Sequence, residues 1–158
     1  MTAPSVWRGA AAGLAAGLVA AAAMDLFQRG VAMLQDSDSS DESATARAAD
    51  AVSEAATGEP VPEPRKAAAG QAVHYGFGVL LGMGYGVVAE YWRPATAAAG
   101  APFGLATAAS LDEAAVPLAG LGDAPWKAPA STHAYSAASH LVFGIVAEAT
   151  RRLARSAL

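Results

Sequence analysis

The sequence predicts an all-α membrane protein whose four transmembrane helices form two related helical hairpins. Three observations predict it. Apolar segments at 7–34, 67–92, 97–121 and 135–153 are each close to the ~20 residues that cross the hydrocarbon of a bilayer. None alternates with period 2, and glycine and alanine stand where strands would carry β-branched residues. The chain also repeats itself. Gly17-Leu18 leads to Asp25 and Gly104-Leu105 leads to Asp112, with the same spacing in each case. His74-x-x-Phe77-Gly78 returns as His140-x-x-Phe143-Gly144. Val88-Ala89-Glu90 with Arg93 returns as Val146-Ala147-Glu148 with Arg151.

Composition agrees with this class. Of 158 residues 54% are hydrophobic and 15% charged, against about 25% charged in ordinary soluble domains. The mean hydropathy is +0.30. The formal charge of −4 comes from one place, because eight of the 14 acids lie between Asp36 and Glu63. Elsewhere the chain is slightly basic, so no acidic face for basic partners is implied, and nothing suggests nucleic-acid binding. With no cysteine there can be no disulfide, thiol catalysis or cysteine-ligated metal cluster.

The first segment reads as a helix over 7–34. It also has the parts of a signal peptide: Arg8, an apolar run over 9–22 and Ala21-Ala22-Ala23. Its continuation past Asp25 and its match to the third segment favour a span. Residues 35–66 form an acidic, proline-rich loop ending in Gly58-Glu59-Pro60-Val61-Pro62-Glu63-Pro64. A short surface helix over 43–56, with a serine cap, or a solvated loop is expected within it. The second span covers 67–92. The third, 97–121, holds Pro102 near its start and Pro117, which should bend or end it. Residues 117–129 read as a tight turn outside the membrane, and 135–153 as the last span. Trp7, Tyr91, Trp92, Trp126 and Tyr135 fall at segment ends as an aromatic belt would. Four spans put both termini on one side. The arginines 151, 152 and 155 after the last span favour the cytoplasmic side.

Within the spans, ionisable residues mark a site, because charge in a membrane helix is costly. Asp25, His74, Asp112, Glu113 and His140 all fall within about two turns of one depth at 1.5 Å per residue. Such a cluster suits proton or ion handling. His74, His140 and Asp112 could also bind a divalent transition metal, or the two histidines a haem. Asp–His hydrogen bonds that merely tie the bundle together are the plainer alternative. His133, in the loop, is expected to be solvated. Glu90 with Arg93 and Glu148 with Arg151 read as i,i+3 ion pairs at the inner interface. The two histidines do not lie at equal distances from these glutamates, so the repeat cannot align at both ends.

Gly9, Gly13 and Gly17, then Gly70, Gly78, Gly82 and Gly86, then Gly100 and Gly104 fall at multiples of four. This spacing lets helix backbones approach closely in lipid and also suits assembly into a homo-oligomer or larger membrane complex. No Gly-x-x-x-x-Gly-Lys and no nucleophile–base arrangement is present, so catalysis is not expected.

Gly84-Tyr85-Gly86-Val87-Val88-Ala89-Glu90 after His74, Pro117-Leu118-Ala119-Gly120-Leu121 before Pro125-Trp126, and His140-Leu141-Val142 leading to Glu148, Arg151 and Arg152 together resemble the YagU-like family of bacterial inner-membrane proteins. The resemblance covers roughly 67–155. It implies a polytopic inner-membrane protein without an established activity, and a link to acid tolerance. A metal- or haem-binding accessory subunit, or a purely structural membrane subunit, are the alternative functions. An alanine-rich soluble bundle is the alternative fold.

Overall fold

The computed structural model describes residues 3–35 and 43–158, and the described chain is helical throughout, without strands. Residues 36–42 of the acidic loop lie outside the described residues. The long helices are α1 (Val6–Gln35), α3 (Glu63–Tyr91) and α6 (Ala130–Ala157). Shorter ones are α2 (Ala44–Thr57), α4 (Ala101–Ser110) and α5 (Val116–Leu118).

α1 and α3 run antiparallel, and glycine decides how close they come. A Cβ on Gly13 would lie 2.2 Å from the Gly82 carbonyl oxygen, and one on Gly17 would lie 2.1 Å from that of Gly78. No side chain fits between two backbones at that distance, so only glycine permits the contact. α4 and α6 repeat the arrangement. A Cβ on Gly104 would meet the His140 carbonyl at 2.1 Å, and one on Gly100 the Gly144 carbonyl at 2.3 Å. α1 packs against both α3 and α6, and α4 packs on α6.

The core is built of small residues. Ala16, Ala20, Ala21 and Met24 of α1 meet Phe143 and Ala147 of α6. The large apolar side chains face outward instead, among them Leu26, Leu34, Leu80 and Leu118.

α2 is capped by the Ser43 hydroxyl, which accepts from the Ala46 N–H, and ends at Gly58 in the left-handed conformation. It packs on α3 where Ala46 faces Gly70. Lys66 reaches Asp50 at 3.1 Å, and Arg47 Nε donates to the Leu121 carbonyl at 2.7 Å. The loop helix is thereby fastened both to α3 and to the turn before α6.

The third apolar segment is not one helix. After α3 the chain turns through Ala98, Ala99 and Gly100, all with positive φ, before α4 begins with Pro102 in its first turn. The helix then widens into a π turn over Leu111–Ala115, where the Val116 N–H bonds the Leu111 carbonyl. Pro117, which can donate no backbone hydrogen bond, follows directly. Two helices, Val6–Leu34 and Glu63–Tyr91, are long and apolar enough to cross a membrane. α6 is nearly as long but carries Glu148, Arg151, Arg152 and Arg155.

Candidate functional site

The π turn presents two adjacent carboxylates to one face of α6. His133, Ser136 and His140 share that face, one and two turns apart. The Ser136 hydroxyl donates to Asp112 Oδ2 in a short hydrogen bond. His140 Nδ1 lies 3.4 Å from the same oxygen and 3.1 Å from the Ser136 carbonyl. Both neighbours of Nδ1 are acceptors, so this nitrogen carries a proton. One residue on, Glu113 Oε1 lies 2.6 Å from His133 Nδ1, and His133 Nε2 lies 3.1 Å from the Pro125 carbonyl. Here both ring nitrogens face acceptors, which is the hydrogen-bonding pattern of an imidazolium. The bond from Glu113 raises the His133 pKa above its ordinary 6.5. A wider helical turn narrows the angle between successive side chains, which lets Asp112 and Glu113 both reach α6. His133, expected to be solvated, therefore belongs to the site. Its spacing to Ser136 and His140 was the signal available in the sequence.

Asp25 and His74 stand apart from this group. Asp25 Oδ2 accepts from Arg29 Nε of its own helix at 3.0 Å. His74 Nε2 lies 3.2 Å from the Ala21 carbonyl and so donates to it. The expectation of one cluster holding all five residues is therefore corrected to one group built on Asp112, Glu113 and His140, with two separate local pairs elsewhere. The cause is register. In contact, Gly17 faces Gly78 while its counterpart Gly104 faces His140. The structural partner of His140 is thus Gly78, one turn beyond His74, and the position matching His74 is Ser136.

That register also bears on metal and haem. The metal candidates His74, His140 and Asp112 do not form a ligand set, and no group of three or more His, Asp or Glu side chains able to hold a metal lies among the described residues. For a haem, His74 would have to give up the Ala21 carbonyl as its partner. The donor set fits neither group.

A second polar group lies at the other end of the bundle. Glu148, 1% exposed, accepts from Arg151 at 2.7 and 2.9 Å, from Arg152 at 2.5 Å and from the Tyr85 hydroxyl at 2.7 Å. Four donor contacts satisfy a carboxylate that would be prohibitively costly alone. Glu90 accepts from Arg155 Nε at 2.5 Å and from the Ser5 N–H at 3.0 Å. The expected Glu148–Arg151 spacing is thus an ion pair, but Glu90 pairs across helices with Arg155 and not with Arg93. Arg93 follows the end of α3, where the helix no longer places it one turn from Glu90 on the same face. The i,i+3 rule missed this because Arg155 lies 65 residues away.

No curated protein and no solved structure matches the chain. A family model described as a protein of unknown function, DUF1440, matches residues 62–149, which span α3, α4, the π turn and the first two-thirds of α6. Both members of the carboxylate–histidine site fall inside that match, and the chain belongs to this uncharacterised family.

Proposed function

We propose that this chain is a non-enzymatic integral membrane protein that binds and passes protons at the Asp112/Glu113 site. The observation that carries the proposal is the pair of adjacent carboxylates on a π turn, each engaging a different histidine on one face of α6. A carboxylate–imidazole chain is the usual means of moving a proton through a helical bundle. His133, near the turn, is the entry. Glu113 and Asp112 are the adjoining acceptors, and His140, only 8% exposed in its side chain, is the inner member. Ser136 holds Asp112 in place.

The packing supports the membrane setting. Alanine, glycine and ion pairs fill most of the interior beside Met24, Tyr85 and Phe143, while leucine and tryptophan cover the outside. This reverses the soluble arrangement and is the pattern expected where lipid is the solvent. Trp7 and Trp92 are exposed at one end and Trp126 at the other, as belts at two interfaces would be. We read four spans, with Ala101–Leu118 as the shortest at about 27 Å by helical rise. The location is the bacterial inner membrane, as in the YagU-like proteins, with termini on the cytoplasmic side. Bare outer glycines such as Gly76 offer a face to a second copy or a larger complex.

The test is proton flux into proteoliposomes loaded with a pH-sensitive dye after an external acid step. Asp112→Asn and His140→Ala should each slow equilibration by about tenfold or more, the scale of losing one positioned acid–base group. Asp25→Asn should leave the rate unchanged. Equal rates for protein-free and wild-type vesicles would sink the proposal.

A further inference from the structure

α3 and α4 flank the bundle without packing along each other, and an apolar groove of about 690 Å³ runs between them. Its walls include Phe77, Leu80, Gly84 and Ala106, and its floor is the stacked pair Tyr85 and Phe103, with ring centroids 4.2 Å apart. The volume lies within the range of small-ligand sites. From Phe77 to Trp92 the α3 wall extends about 22 Å by helical rise, longer than the ~15 Å hydrocarbon depth of one leaflet. One end of the groove is closed by Trp92, Pro94 and Ala95. Between Trp92 and Pro94 stands Arg93, exposed and without an ion pair among the described residues. Arg151, Arg152 and Arg155 at this end are bound to Glu148 and Glu90, while Arg8, at the start of α1, is likewise exposed and without an ion pair among the described residues.

We propose that this groove seats one acyl chain of an anionic phospholipid, with the phosphate held at Arg93. The inference rests on the membrane reading above. The complementarity is of length and charge: a carbon-lined slot longer than a leaflet ends at a tryptophan suited to the interface, and the next residue, Arg93, without an ion pair among the described residues, suits a phosphate. Gly84 leaves the slot open, because a Cβ placed there would meet nothing within 4 Å. A second copy of the chain is the competing occupant, and its own groove has no carboxylate among its lining residues to meet Arg93.

Trp92 serves as the reporter. The full chain carrying Trp7→Phe and Trp126→Phe is reconstituted in phosphatidylcholine vesicles that contain a minor fraction of brominated lipid. Brominated phosphatidylglycerol should quench Trp92 about fivefold more effectively than brominated phosphatidylcholine, the enrichment one arginine contributes near the membrane surface. Arg93→Gln should abolish the difference. Gly84→Leu, which fills the slot and keeps Arg93, should reduce it. Equal quenching by the two lipids, or a preference unchanged by both substitutions, would overturn the lipid site and leave the membrane reading standing. Protection of Trp92 from both lipids in an inserted protein would place a second copy on the groove and overturn it as well. A protein recovered in the aqueous fraction, with no quenching, would remove the membrane reading and the site together.

Discussion

The α1–α3 hairpin and the α4–α6 hairpin share one backbone contact and differ in what surrounds it. In the first, Gly9, Gly13 and Gly17 meet Gly86, Gly82 and Gly78, so backbone meets backbone along the seam, with the side chains of Glu90 and Ala21 at its two ends. In the second, Gly100 and Gly104 meet Gly144 and His140, and the next positions outward are Glu148 on one side and Ser136 on the other. Matched by contact, Gly86 is replaced by Glu148 and His74 by Ser136. The first seam meets a charge only at its end, at Glu90, whereas the second sets His140 and Glu148 along the contact itself. Two helix pairs of one design can thus separate support from chemistry without changing how they touch.

The sharpest way to break that difference is Glu148→Gln. It leaves Arg151, one of the few buried cations, without its counterion and should cost about 3–5 kcal/mol, read as a loss of thermal stability in detergent. The first seam has a nearly buried charge only at its Gly9 end, where Glu90, 6% exposed in its side chain, is held by Arg155 of α6. Next comes the shared contact. Gly13→Leu and Gly104→Leu should each cost about 1–3 kcal/mol by forcing the backbones apart, and only Gly104→Leu should also slow proton flux, since its neighbour is His140. Gly76→Ala, which meets open space, should instead add about 0.5–1 kcal/mol.

An effect of similar size lies at the entrance to the second hairpin. Ala98 and Ala99 hold φ of 45° and 55°, a conformation that costs a residue with a Cβ roughly 1–2 kcal/mol. Ala99→Gly should therefore stabilise by about 1 kcal/mol. The smallest effect is electrostatic. The His133 pKa is raised when folded, so its contribution is fully present below 6.5, and it is lost as pH rises through the raised value. An NMR titration should place the His133 midpoint above 6.5, and Glu113→Gln should lower it. A midpoint indifferent to Glu113 would mean that the pair does not form.

Much of this was legible in the residues. The glycine spacing pointed to close helix contact without saying which helices meet, and Asp112, Glu113 and His140 were picked from a rule about charge in apolar helices. The register was not legible. The His-x-x-Phe-Gly match and the Val-Ala-Glu match disagree about which residues correspond, and the observed contact lies one turn from each. Sequence identity aligns motifs, whereas packing aligns whichever glycines allow the closest approach, and the two need not coincide. Asp25 and His74 were misplaced for that reason. Glu90 was misassigned because a local partner at the right spacing hid a distant one. The break in the third segment was half visible: Pro117 announced the end, but neither the left-handed turn over Ala98 and Ala99 nor the π turn has a marker in residue type.

α1 touches both α3 and α6, and this has a consequence for synthesis. α1 is made before both of its partners. α3 emerges before α6, so one face of α1 is covered early. The face that receives Phe143 and Ala147 must wait for α6. Until then Ala16, Ala20 and Ala21 line an open trough, and the charged end of α6, with Glu148 and three arginines, has still to be threaded beside it. Docking of α6 therefore closes this core and brings Arg155 to Glu90 and Glu148 to Tyr85 together, whereas Glu148 finds Arg151 and Arg152 within α6 itself.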